Sequence, residues 1–132
     1  MRRLLDTSAY VALMRGDDRI EDLVRRAEKL YVSIIVLGEL HFAFYDGSRL
    51  RENLAALEEL LAHPFVEVVH LTAASADRFG RIAAQLKRAS APIPTNDIWI
   101  AAQCQELDVE LITLDERHFR HVPGLTIAGS GA

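Results

Sequence analysis

The chain has 132 residues, half of them hydrophobic, which suits one domain built around one core. Acids outnumber bases 19 to 15, so the overall charge does not mark a nucleic-acid binder, although acids confined to one pocket would conceal a more basic remainder. The single cysteine, Cys104, excludes an internal disulfide, and no apolar run approaches the length of a membrane span.

The opening "MRRLLDTSAYVALM" has the basic-then-apolar order of a weak signal peptide. Asp6 and Arg15 interrupt it, and "MRG" is a poor cleavage site, so a soluble, cytoplasmic protein is expected. "RRLLD" (2–6) is a candidate buried strand ending in an acid. "TSAYVALMRG" has helical character and stops at Gly16. Ile20, Leu23, Val24 and Ala27 share one helix face. "LYVSII" (30–35) is β-branched and aromatic, hence a strand. A helix carrying Glu39 follows, with Ser33 or a neighbour at its start, and "YDGS" (45–48) breaks it. Leu50, Leu54, Leu57 and Leu61 recur at helix spacing, and "FVEVVHL" (65–71) is another strand. Phe79, Ile82, Ala83 and Leu86 mark a helix closed by "SAPIP" (90–94). "TNDIWIAAQCQEL" (95–107) is a helix apolar nearly all round, as expected of one covered on more than one side or used in a dimer contact. "VELITLD" (109–115) is a strand ending in an acid, "ERHFRH" a turn or short helix, and "LTIA" (125–128) a last strand. "GSGA" (129–132) has the composition of a loose tail.

Strands that are continuous apolar runs, alternating with helices, predict a parallel sheet covered on both faces: a three-layer α/β/α domain over residues 1–132. Ligands of such sheets bind beyond the carboxyl ends of the strands, at a switch in strand order. Asp6 and Asp115 each end a strand. Glu39 lies in the first turns of the helix after the second strand, and Asp97 in the first turn of the late apolar helix. All four acids therefore point to one sheet edge. Each also has a local explanation. The helix dipole favours Asp97, turn hydrogen bonds suit Asp6 and Asp115, and Glu39 can face water. Grouped carboxylates repel each other unless a cation enters. Mg²⁺ or Mn²⁺ takes such oxygen ligands, and a pair of these ions can activate water and stabilise both oxygens of a phosphodiester displacement. With four acids set aside from a net charge of −4, the rest of the chain is neutral and can carry basic patches, at Arg25-Arg26, Arg49/Arg51 or Arg81/Lys87/Arg88, each equally a solvated face.

"LLDTSAYVALM", "GELHFAF", "TNDIWIAAQCQEL" and "LITLDERHF" follow one another in the order and spacing of a PIN domain, and the chain resembles the VapC toxins of prokaryotic toxin–antitoxin pairs along nearly its whole length. The resemblance implies a metal-dependent endoribonuclease whose acids fall on Asp6, Glu39, Asp97 and Asp115, with Asp6 and Asp97 the firmest ligands of Mg²⁺ or Mn²⁺. It also implies a VapB-type antitoxin as partner and a homodimer. Ser8 in the opening motif, with Thr7 beside it, and Thr113 near Asp115 are placed to orient carboxylates, or simply to cap local backbone.

His118 and His121 stand three apart as a metal pair can, but no third nitrogen or sulfur ligand accompanies them, so a surface turn is expected. Cys104 has the apolar setting of an inert thiol. Trp99 can stack on RNA, though packing explains it as well. The rival functions are a structure-specific DNA nuclease, a PIN-like binding module without chemistry, and a phosphotransfer enzyme. The last would want a second Asp where Ser8 stands. The first lacks an added DNA-threading segment, and the second does not explain four acids.

Overall fold

The computed structural model describes residues 1–130. The elements run β1 (Arg2–Leu5), α1 (Thr7–Met14), α2 (Asp18–Arg25), β2 (Lys29–Ser33), α3 (Ile34–Asp46), α4 (Leu50–Leu61), β3 (Val66–Val69), α5 (Ala73–Arg88), α6 (Thr95–Leu107), β4 (Glu110–Ile112) and α7 (Glu116–Phe119). The four strands form one parallel sheet in the order β3-β2-β1-β4. Steps from β1 to β2 and from β2 to β3 go one way, and the step from β3 to β4 goes back past β1. Right-handed connections then put α1 to α4 on one face and α5 with α6 on the other, which is the three-layer architecture. The direction changes between β1 and β4, so the crevice at their carboxyl ends is the place for a ligand.

Leu4, Leu5, Leu30, Val32, Leu111 and Ile112 of the sheet are all fully buried, as expected of strands covered on both sides. Several expected strands come out shorter. "FVEVVHL" keeps only Val66–Val69 and "VELITLD" only Glu110–Ile112, so Asp115 lies in the loop past the strand rather than at its end. "LYVSII" stops at Ser33, whose hydroxyl accepts the Ile35 amide at 3.0 Å, so Ile34 and Ile35 form the first turn of α3 instead. The capping bond overrides their β-branched preference. "LTIA" is reduced to a single bridge, Leu111 to Ile127. Only Leu111 on the short β4 offers it partners, the Leu111 amide to Thr126 O at 2.9 Å and the Ala128 amide to Leu111 O at 2.8 Å. Gly124 (φ +76°) and Gly129 (φ +74°) turn the chain away on either side. The "GSGA" tail lies partly outside the described residues, which end at Ser130.

The apolar helix α6 is covered from within the chain. Ile98, Ile100, Ala101, Ala102, Gln103 and Cys104 are buried, and the Trp99 ring lies 4.2 Å from that of Phe79 on α5, tilted 31°. Its composition is therefore accounted for by packing between the sheet and α5. Among the described residues, no helix is long and apolar enough to cross a membrane.

Candidate active site

Asp6 leaves β1 and caps α1. Its Oδ1 accepts the Ala9 amide at 2.8 Å and the Ser8 hydroxyl at 2.7 Å, and its Oδ2 accepts the Thr113 hydroxyl. Thr113 Oγ1 accepts the Asp115 amide at 2.9 Å, and Ser8 Oγ the Leu114 amide at 3.0 Å. Ser8 and Thr113 thus hold a carboxylate and stitch the end of β1 to the loop after β4. A carboxylate oxygen offers about two lone pairs, so one on Oδ2 remains free of these donors. Asp6 is only 3 % exposed, and burial raises its pKa to about 6 against the three hydrogen bonds, with the Asp115 charge adding to the rise.

Glu39 stands on α3, half-buried, where the Thr7 hydroxyl donates to Oε1 at 2.6 Å and the Asn96 amide lies 3.4 Å from Oε2. Asp97, in the first turn of α6, has Oδ2 3.1 Å from His118 Nδ1. Burial pushes its pKa up, the bond to His118 opposes this, and the charges of Glu39 and Asp115 push it up further. Asp115 precedes α7 without capping it by its side chain. The charges of Glu39 and Asp115 act on Asp97, and that of Asp115 acts on Asp6, so the acids are electrostatic neighbours at the switch-point edge.

His118 is a correction. It does not lie idle on a surface turn; it is half-buried against Asp97. Asn96 was not singled out by the sequence, and the Thr7–Glu39 bond joins residues 32 apart. His118 sits three residues past Asp115, so it shares the acid's helical side, but its partner on α6 is set by tertiary packing. Cys104 is buried, and burial raises its thiol pKa far above the usual range, as an inert thiol requires.

Among the described residues, no three Asp, Glu, His or Cys side chains form a ready-made cage for one ion. The chemistry of the donor set nevertheless suits a hard divalent cation. The four acids offer oxygen ligands alone, and Mg²⁺ commonly binds through one or two carboxylates and keeps several waters. Two of the acids are held above their ordinary pKa partly by neighbouring negative charge, so positive charge is what the edge lacks. Beside Glu39 opens a groove lined by Ile34, Ile35, Gly38, Phe42 and Asn96. A larger concavity at the opposite, amino edge of the sheet, lined by Arg2, Arg81, Asp108 and Glu110 among others, contains none of the four acids.

Residues 3–125 match the PIN domain, and the chain belongs to that family. Among its relatives, Ribonuclease VapC2 of Haemophilus influenzae is 28% identical over 127 residues, covering 95% of each chain. The tRNA(fMet)-specific endonuclease VapC of Salmonella typhimurium is 27% identical and covers 96% of each chain. Among solved structures, VapBC-1 from nontypeable Haemophilus influenzae matches with a TM-score of 0.85 at 27% identity, over 96% of both chains. A DNA-bound VapBC from Salmonella typhimurium matches with a TM-score of 0.85 at 25% identity, over 96% of both chains.

Proposed function

We propose that this protein is a divalent-metal-dependent endoribonuclease, the toxin of a VapBC-type pair, acting in the cytoplasm and held by a VapB-type antitoxin. What supports the reading most is that Asp6, Glu39, Asp97 and Asp115, from four distant parts of the chain, are electrostatic neighbours at the edge where sheets of this topology generally bind ligands. Relatives named as VapC ribonucleases, matched over nearly their full length, support it. In this reading the four carboxylates hold Mg²⁺ or Mn²⁺, with Asp6 and Asp97 the firmest ligands. Bound there, such an ion supplies Lewis acidity toward the phosphodiester and lowers the pKa of water. Glu39, steadied by Thr7, positions the attacking water. Ser8 and Thr113 keep Asp6 in one orientation, so little rearrangement is needed as charge develops.

The test is RNA cleavage by the purified chain. Cleavage should need Mg²⁺ or Mn²⁺, stop on chelation and leave 5′-phosphate and 3′-hydroxyl ends. Glu39→Gln keeps the shape of the side chain but should lower the rate by roughly a hundredfold or more, the scale of losing one electrostatic group from a preorganised site. Activity that persists in excess EDTA, or cyclic-phosphate products, would overturn this mechanism.

A further inference from the structure

Asp97 meets a base as well as acids. Among the described residues, none of Asp6, Glu39 and Asp115 forms an ion pair, and His118 is the sole base in contact with the four carboxylates. Its Nδ1 is 3.1 Å from Asp97 Oδ2, and neither Asp97 oxygen has a second hydrogen-bond partner among the described residues. An ionised carboxylate can only accept, so with Asp97 charged the contact calls for the proton on Nδ1. Neutral imidazole supplies that proton, and the bond needs no charge on the ring. His118 is itself held: it lies in α7, next to the buried Phe119, and α7 packs on α6. A rotatable carboxylate at a helix start is thus pinned by one oxygen from a separate element.

We infer that His118 is a positioning residue, which holds Asp97 through Oδ2 and leaves Oδ1 as the oxygen offered to the cation. This rests on the nuclease reading for the identity of the ligand, and adds to it which oxygen binds and what orients it. Groups that orient a ligating side chain commonly change metal affinity by about 10- to 100-fold when removed. The contact links Asp97 to the helix that Asp115 precedes, so losing it frees Asp97 while Asp6 and Glu39 keep their hydrogen-bond partners.

Mn²⁺ binding to the full chain without RNA, followed by the electron paramagnetic resonance signal of the free ion, tests the inference. His118→Leu keeps bulk and removes the donor, and should weaken binding by about tenfold or more. His118→Asn places an amide N–H near the position of Nδ1 and should restore most of the affinity. His118→Gln places it nearer Nε2 and should not. This pair of amides also decides the matter if the Leu variant fails to fold. With Asp97→Asn already in place, adding His118→Leu should cost nothing more in Mn²⁺ affinity, whereas a merely structural role would still add its loss. If wild type binds Mn²⁺ and cleaves RNA while the His118 variants bind equally well, this inference falls and the nuclease reading stands. If wild type binds no Mn²⁺ at all, both fall.

Discussion

Asp6 shows most clearly what the site costs the fold. Its carboxyl is buried and raised to about 6, so the folded chain binds this proton more tightly than the unfolded chain does. Between the ordinary carboxylate range and pH 6 the native state carries the extra proton, so the contribution of Asp6 to stability is greatest in acid and is lost as pH rises through about 6. The loss amounts to about 3 kcal/mol at most, from the linkage of pKa to free energy. Asp6→Asn should therefore be more stable than wild type at pH 7.5 without metal, with the gap closing toward pH 4. Excess Mg²⁺ should stabilise wild type more than the variant, by mass action on the folded state. Thermal unfolding across pH, with and without Mg²⁺, checks both. An Asp6→Asn chain that is less stable at pH 7.5 in EDTA would show that the hydrogen bonds outweigh burial. At this scale the sequence carried much of the site. An acid at a strand end or helix start is visible in one dimension, and so are Ser8 and Thr113 beside such acids. The contacts of His118 with Asp97 and of Thr7 with Glu39 were not legible, because each joins two elements whose relative position is fixed only by packing of the whole.

Between elements, a buried amide holds the halves of the site in register. Ser33 caps α3 and donates to Gln103 Oε1 on α6, while Gln103 Nε2 lies 3.4 Å from the carbonyls of both Val69 and His70 at the end of β3. Both side chains are fully buried. Glu39 rides on α3 and Asp97 on α6, so this link helps set the distance between them. Gln103→Leu keeps the bulk but takes from the Ser33 hydroxyl its acceptor and from the Val69 and His70 carbonyls a donor. It should cost about 1–3 kcal/mol in urea unfolding, and wild-type stability in that variant would show that the network contributes nothing. The order of elements was legible in the sequence because strand runs and helix periods differ in kind. The boundaries were not, where a local bond competes with propensity, as at Ser33. The sidedness of α6 was not legible either: an all-round apolar helix fits an internal wedge and a dimer contact equally, and only the fold shows how much of it packs on α5.

For the whole molecule, the feature that matters is where the negative charge sits. The net charge of −4 equals the four acids of the switch-point edge. Elsewhere Arg25, Arg26 and Arg81 are tied to acids one helical turn away, which favours solvated faces over basic patches at these positions. This edge therefore attracts cations, and any protein that covers it must bring positive charge or leave carboxylates buried without partners. An arginine fork is the best match, since it binds a carboxylate through two charge-assisted hydrogen bonds. A VapB-type antitoxin that inhibits by reaching these carboxylates would then compete with Mg²⁺ for the same oxygens. Competition is reciprocal: the antitoxin should weaken metal binding by the same factor by which metal weakens antitoxin binding. The dissociation constant of the complex, measured at fixed ionic strength with Mg²⁺ varied against a monovalent salt, should rise with Mg²⁺ for wild type and stay level for Glu39→Gln combined with Asp97→Asn, which removes two of the proposed ligands. The antitoxin should also block RNA cleavage. A complex that inhibits cleavage with an affinity indifferent to Mg²⁺ would mean that the partner shuts off RNA access from outside the acidic edge, with the carboxylates free to hold metal beneath it.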